Sequence, residues 1–423
     1  MPSDSPTTPS ALRVAIIGTG MIGAVHRRAA RDAGSVVSGV LASSPEKSLE
    51  FAAAWGVPSG YASLDQLLAD RPDVVQICTP NATHHAYALA VIRAGIHVVC
   101  EKPLALGAAE ALELASAARA AGVVATVPFA YRYHPLVREL RARRQAGEFG
   151  EVVLVHGSYL QDWLLDPSSS SWRVDSAAGG TSRAFADIGS HWCDLAEFIS
   201  GERFESVSAV MTTVYPTRPR PMGPSFGAGA GGYAASSFAG AASSASASHG
   251  EPASHGEPAS HGERASHGEP DRIEVTTEDT AVATFRTASG ITANTVISQV
   301  SAGRKNRLWV EIDGSRGSAV FDQENPNTVW IGTDEGARLL DRASGAVAPD
   351  QARLDLVPAG HPQGYPDAFA AFLADTYAAV RAAQAGGQPP DGLPTFADGL
   401  RAARIIDAVV ASAASAAWTP IPA

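Results

Sequence analysis

"LRVAIIGTGMIGAVHRRAARDA", residues 12–33, decides the fold. The apolar run "LRVAIIG" reads as a buried strand and "MIGAVHRRAARDA" as a helix. Between them stands Gly18-x-Gly20-x-x-Gly23. Glycines at these places let the chain turn tightly and bring its backbone close to a pyrophosphate at the helix N-terminus. The spacing therefore predicts that Gly18, Gly20, Met21, Ile22 and Gly23 hold a dinucleotide.

Outward from this loop, to about residue 125, short apolar runs alternate with helical patterns. "VVSGVLA", "DVVQICT", "HVVCEK" and "VVATVPFA" read as strands, and "EKSLEFAAAWG", "LDQLLADR", "HHAYALAVIRAG" and "GAAEALELASAARAAG" as helices. Unbroken apolar strands separated by helices imply a parallel sheet covered on both faces. An acid that holds a ribose 2′-hydroxyl is expected about twenty residues after the glycines. The chain reads "VLASSPEK" there, with Ala42 and Ser43 and no acid. Ser43, Ser44 and Lys47 can instead hydrogen-bond a 2′-phosphate. NADP is thus expected slightly ahead of NAD.

After about 130 the pattern changes. "GEVVLVHGSYLQDW", "RFESVSAVMTTVY", "RIEVTTEDTAVATFRTASGITANTVISQV", "NRLWVEIDGSRGSAVFD" and "TVWIGT" are long alternating runs, which predict a largely antiparallel sheet with one face buried. A helix is expected near 188–200 and two more within 361–418. The fold expected is α/β: a dinucleotide-binding domain over 11–130 and an α+β substrate and oligomerisation domain over 131–423. Residues 1–10 read as a disordered tail. Residues 217–271 are Pro-, Gly-, Ala- and Ser-rich and contain four hexads of the form "ASHGEP" or "ASHGER". These lack the recurrent apolar positions a β-helix needs, so a disordered insertion is expected.

Lys plus Arg is 32 and Asp plus Glu is 43, a formal net charge of −11, which argues against a nucleic-acid or anionic-membrane surface. Cys78, Cys100 and Cys193 are far apart and odd in number, so neither a disulfide framework nor a metal site is expected. No signal peptide or apolar run long enough for a membrane span is seen, and a cytoplasmic location is expected.

"CTPNATHHAYALAVIRAGIHVVCEKPLA", 78–105, together with the glycine loop, resembles the glucose-fructose oxidoreductase/inositol dehydrogenase family, Gfo/Idh/MocA. The resemblance covers nearly the whole chain outside the insertion. It implies that Thr79, Pro80, Asn81 and His84 lie beside the cofactor and that Glu101, Lys102 and Pro103 follow the next strand. "AAGGTSRAFADIGSHWCDLAEF", 177–198, is similar to the family's Gly-Gly…Asp-x-Gly-x-His-x-x-Asp element, with Thr181, Ser182 and Arg183 departing from its usual residues. The same resemblance implies a Rossmann domain, a polyhydroxylated ring as substrate (a sugar, glycoside or cyclitol), and a homodimer or homotetramer formed through the second domain's sheet.

Oxidising a secondary alcohol needs a hydride acceptor, a group that takes the hydroxyl proton, and positive charge where alkoxide character develops. Lys102 suits the charge and can relay a proton. His191 suits the base, since imidazole titrates near ~6.5. Asp187, four residues before His191, shares a helix face with it and can orient it or bind a hydroxyl. Pro103 disfavours helix at Lys102 and so holds it extended. Glu101 is read as orienting Lys102 or the ribose, and Arg132 as approaching the nicotinamide or substrate. Asp162, Trp163, Trp172, Arg173, Arg183 and His361 are further candidate substrate contacts, and His26 is read as structural. The expected activity is hydride transfer between nicotinamide and a secondary alcohol or ketone. Alternatives on the same fold are glycoside cleavage through transient oxidation and trans-dihydrodiol oxidation. A non-catalytic dinucleotide-binding regulator is a remote third.

Overall fold

The computed structural model describes residues 11–220, 271–342 and 348–423. Its first sheet is built from β1 (Arg13–Ile17), β2 (Val36–Leu41), β3 (Ser59–Gly60), β4 (Val74–Ile77), β5 (His97–Cys100) and β6 (Ala125–Thr126). All pairs are parallel and the order is β3-β2-β1-β4-β5-β6. The intervening helices are α1 (Met21–Asp32), α2 (Pro45–Trp55), α3 (Leu64–Ala69), α4 (His84–Arg93) and α5 (Ala108–Ala121). Valines and isoleucines of β1, β4 and β5 are almost wholly buried because helices cover both faces. In such a sheet ligands bind at the carboxyl ends of the strands, where the order reverses. Here that point lies between β1 and β4, with β5 next to it.

The glycine loop follows β1 directly. Gly18 adopts φ +101°, and a Cβ there would lie 2.6 Å from the Cys78 carbonyl oxygen. A Cβ on Gly23 would lie 2.3 Å from the Gly18 oxygen. Both positions therefore require glycine for the loop to close against α1 and β4.

The second half contains α6 (Pro135–Gln145), β7 (Val152–Leu160), α7 (Ser176–Gly179), α8 (Ser190–Ser200), β8 (Phe204–Thr212), β9 (Thr217–Pro219) and β10 (Arg272–Glu274). There follow β11 (Thr280–Thr287), β12 (Thr292–Ser298), β13 (Arg307–Gly314), β14 (Ser318–Asp322), β15 (Thr328–Thr333), β16 (Gly336–Asp341), α9 (Pro349–Ala352), α10 (Tyr365–Ala385), α11 (Phe396–Ser415) and β17 (Thr419–Pro420). Nine strands form one sheet in the order β16-β15-β14-β13-β7-β12-β11-β8-β17. Its pairs are antiparallel except β7 with β12. One face buries Val155, Phe285, Ile297, Val310 and Phe321 against α6 and α8. The other leaves Val210, Val282 and Val296 side by side and exposed at 68 %, 46 % and 40 %.

Two sequence expectations shift. The chain around the repeat segment is ordered further in than the 217–271 boundary implies, because β9 pairs with β10 and wholly buried Arg218 donates to the main-chain oxygens of Leu164 and Ser169. The hexads themselves, like the 1–10 tail, lie outside the described residues. The helix α10 also does not stay with the large sheet, and α11 packs on both sheets, with Ile405, Ile406, Ala408 and Val409 in the large sheet's core. Phe369, Phe372 and Tyr377 of α10 share a core with Ala29 and Ala30 of α1, while Leu400 and Ala403 of α11 share one with Leu114 and Ala118 of α5.

Candidate active site

Two sets of strand ends face each other. β1, β4 and β5 end in the glycine loop, in Thr79-Pro80-Asn81 and in Glu101-Lys102-Pro103. Opposite them, Gln161 and Gln299 follow the parallel strands β7 and β12, and Asn306 precedes β13, whose Arg307 pairs with Leu160 of β7. A π-helical turn, Phe185–Gly189, leads into α8 between the two sets. Such turns are wider than α-helix and recur at functional sites.

Lys102 joins the halves. Its Nζ donates to Asp187 Oδ1 at 2.7 Å and to the Asp187 main-chain oxygen at 2.8 Å. Asp187 Oδ2 accepts from Gln299 Nε2 at 3.0 Å, and Arg173 Nε lies 3.6 Å from Oδ1. Burial alone would raise the Asp187 carboxyl, but the Lys102 and Arg173 charges outweigh it and hold it well below the carboxylate range. The Asp187 amide donates to the Arg183 oxygen, so Asp187 is inside the helical turn rather than capping it. The Lys102–Pro103 peptide is cis.

His191 is buried beside this pair, with Tyr131 and Phe129 edge-on to its ring at 5.0 and 5.8 Å between centroids. Its Nδ1 is buried and unbonded. Burial first, and then the Lys102 charge, push the imidazole well below its ordinary value against the pull of Asp187. The imidazole keeps a lone pair that can take a proton, and the neighbouring ammonium makes it a weaker base than a solvated histidine.

A polar chain lines the far wall. Trp163 Nε1 donates to Gln161 Oε1 at 2.7 Å, and Gln161 Nε2 donates to Asn306 Oδ1 at 2.9 Å. The Tyr159 hydroxyl donates to the same oxygen at 2.7 Å and lies 2.7 Å from the Tyr131 hydroxyl. The Arg173 guanidinium stacks on Trp172 at 4.5 Å. Arg173 was read beside Trp172 as a substrate contact, whereas Tyr131, Tyr159, Gln161, Gln299 and Asn306 were not singled out from the sequence. Three of them flank strand ends that register brings together, which only the folded sheet displays.

Several predicted residues are spent elsewhere. Arg183 is wholly buried and paired with Asp279. Arg132 is paired with Asp194 and with Asp398 at 2.8 Å, which holds its guanidinium between α8 and α11. His361 is exposed, with Nδ1 3.2 Å from the Pro358 oxygen. His84 is buried, and its two ring nitrogens lie 2.8 Å from the Pro103 and Thr79 carbonyls, so it ties two loops together. Asn81 Nδ2 donates to the Gly179 oxygen at 3.0 Å and bridges to α7. Asp162 is paired with Lys305 at 2.7 Å. Ser44 caps α2 by accepting from the Lys47 amide at 3.3 Å, while Ser43 and Lys47 are exposed.

The residues at the glycine loop fit a dinucleotide. α1 has no side-chain cap, so its first N–H groups are free of an internal partner. A Cβ built on Gly20 meets nothing within 4 Å, which leaves open space at that helix end. The space and the free donors suit a pyrophosphate.

Comparisons with known proteins agree with this geometry. Residues 12–129 match the family described as "Oxidoreductase family, NAD-binding Rossmann fold" and 137–320 match the "GFO/IDH/MocA C-terminal domain". Levoglucosan dehydrogenase of Pseudarthrobacter phenanthrenivorans is 30 % identical over 97 % of this chain and 98 % of its own. A solved levoglucosan dehydrogenase in complex with NADH and L-sorbose superposes with TM-score 0.80 at 28 % identity, covering 97 % of this chain and 99 % of the other. An oxidoreductase domain protein from Kribbella flavida gives TM-score 0.80 at 30 % identity, covering 98 % and 100 %.

Proposed function

The chain belongs to the GFO/IDH/MocA family of oxidoreductases and is a nicotinamide-dependent dehydrogenase of CH–OH groups; from that premise we propose that it oxidises a secondary hydroxyl of a pyranose or anhydrosugar, with Lys102, His191 and Asp187 as its catalytic residues. The observation that carries this is the Lys102–Asp187 contact beside buried His191 at the carboxyl end of β5. A bound dinucleotide supplies the hydride acceptor. The Gly18–Gly23 loop and the N-terminus of α1 hold its pyrophosphate. Lys102 offers its ammonium to the substrate oxygen as negative charge develops there. His191 takes the hydroxyl proton. Asp187 fixes the lysine from one side, and Gln299 and Arg173 fix Asp187.

The sugar class rests on the far wall and on the likeness to levoglucosan dehydrogenase along the full chain. Gln161 and Asn306 present amides for ring hydroxyls, and the Trp163 and Trp172 rings present apolar faces. Exposed Ser43 just after β2 and exposed Lys47 in the first turn of α2, with no acid at positions 42–43, support use of NADP as well as NAD. The valine row on the open face of the large sheet supports an oligomer formed through that face. The test is a fluorescence titration with NADH and NADPH, followed by a cofactor-reduction screen over levoglucosan, glucosides and inositols. Binding of either dinucleotide and turnover of a pyranose are expected. Failure to bind either would remove the proposal at its root, and turnover of inositols alone would correct the substrate class.

A further inference from the structure

We propose that His26, buried in α1 behind the sheet, is a positioning residue for Lys102 and acts through Glu101. The idea rests on the reading of Lys102 as catalytic. His26 is wholly buried, and each ring nitrogen has one partner. Nε2 lies 2.9 Å from Glu101 Oε1, and Nδ1 lies 3.0 Å from Gln76 Oε1. Gln76 Nε2 in turn donates to the Tyr377 hydroxyl at 2.8 Å, and the Phe369 ring meets His26 edge-on at 4.8 Å. Helix α1, strands β4 and β5, and α10 thus converge on one imidazole.

The wiring assigns protons. With the Gln76 amide turned to donate to Tyr377, its Oε1 can only accept, so His26 Nδ1 carries a proton. Nε2 then faces Glu101 Oε1 at 2.9 Å. The other oxygen of Glu101 accepts the main-chain N–H of Lys102 at 3.1 Å. The carboxylate is therefore pinned from behind by His26 and in front holds the backbone of the lysine, whose ammonium goes on to Asp187.

Other titratable groups face this pair. They are Cys78 after β4, Cys100 of β5, His84 of α4 and Tyr365 of α10. Burial, with Glu101 adding to it, pushes the two thiols and the Tyr365 phenol up, and burial pushes His84 down. The two thiols and the phenol are then uncharged near neutral pH. A buried ion pair costs desolvation that an apolar pair of similar volume avoids, so simple packing does not require histidine and glutamate here. Removing His26 would leave Glu101 unpinned, with an unshared charge next to Lys102.

The test uses the full chain with His26→Ala, His26→Gln, Glu101→Gln, the His26→Ala/Glu101→Gln double variant and Lys102→Ala. Three quantities are read: kcat with levoglucosan and saturating dinucleotide, NADH affinity by fluorescence, and the rate at which acetic anhydride labels Lys102. The chain has three lysines, so Lys47 and Lys305 are internal standards in the same peptide map. His26→Ala and Glu101→Gln should each lower kcat by roughly tenfold or more with NADH affinity within about twofold, and change Lys102 labelling by about threefold. The double variant should be no worse than either single one, because both act on one path. His26→Gln, which can still donate to Glu101, should recover part of the loss. Wild-type kcat and labelling in folded Glu101→Gln would overturn the inference, and this near-isosteric change decides the matter if His26→Ala does not fold. If levoglucosan is not turned over, labelling alone decides, and an unchanged rate counts against it. Full activity in Lys102→Ala would instead overturn the catalytic reading beneath it.

Discussion

His191 is kept neutral by its surroundings, and that has a measurable sign. Burial and the Lys102 charge both disfavour the imidazolium, so the free base persists as pH falls below the usual histidine range. The acid limb of kcat/KM should therefore lie clearly below pH ~6.5. A limb at or above that value would mean that His191 is solvated in the working enzyme or is not the base. His191→Ala should lower turnover by roughly 10² to 10⁴ while dinucleotide affinity is kept. Unchanged turnover in a steady-state assay would take the base role away from it. At this scale much was legible in the sequence, since Lys102, Asp187 and His191 stand in motifs with fixed spacing. The acidic partners of Arg132 and Arg183 were not legible, because an arginine next to a motif carries no mark of which acid elsewhere in the chain will pair with it. Asp279 is 96 residues from Arg183, and Asp398 is 266 from Arg132.

Among the elements, α8 does most to assemble the site. The Phe185–Gly189 turn at its head presents Asp187 to Lys102, and its body carries His191 inward and Asp194 toward Arg132. Arg132 in turn ties α8 to α11 through Asp194 and Asp398. Replacing Arg132 with Ala leaves two carboxylates unpaired in a largely buried place. The expected cost is roughly 3–5 kcal/mol, measured by urea unfolding, with dinucleotide affinity retained in the folded protein. A loss of affinity without loss of stability would return Arg132 to the cofactor. Helices and strands of the first sheet were readable from the alternation of apolar runs with helical patterns. The two-residue strand β3 was not, because a pair at a sheet edge leaves no periodic signal. The pairing of β7 with β12 was not readable either. It is parallel within a mainly antiparallel sheet, and it brings Gln161 and Gln299, 138 positions apart, to the same end.

For the whole molecule, the chain on either side of the repeat segment is already closed. The Arg220 amide donates to the Asp271 oxygen at 2.7 Å, and the two side chains pair at 2.5 Å. Replacing 221–270 with a two-residue Asn-Gly turn should leave thermal midpoint and turnover close to wild type, because β9 and β10 then form an ordinary hairpin. Aggregation or loss of oligomeric state in that variant would give the segment a structural role. The open sheet face makes a separate prediction. Val282→Glu places a charge in the centre of the Val210–Val282–Val296 row and should shift the molar mass in light scattering toward the monomer. An unchanged mass would move the subunit contact elsewhere. Among the described residues no helix is long and apolar enough to cross a membrane. The wrapping of α10 and α11 back onto α1 and α5 was not evident from local pattern, since an amphipathic helix shows that it has a buried face but not which partner covers it.

The central claim is that Lys102, held by Asp187 at the end of β5, serves hydride transfer from a sugar hydroxyl. Its most direct test is the initial rate of nicotinamide reduction by levoglucosan in wild-type protein beside Lys102→Ala, each with its NADH affinity measured in the same preparation. The account predicts turnover in the wild type and a loss of roughly 10²-fold or more in the variant with affinity little changed. Equal rates in the two proteins would contradict it.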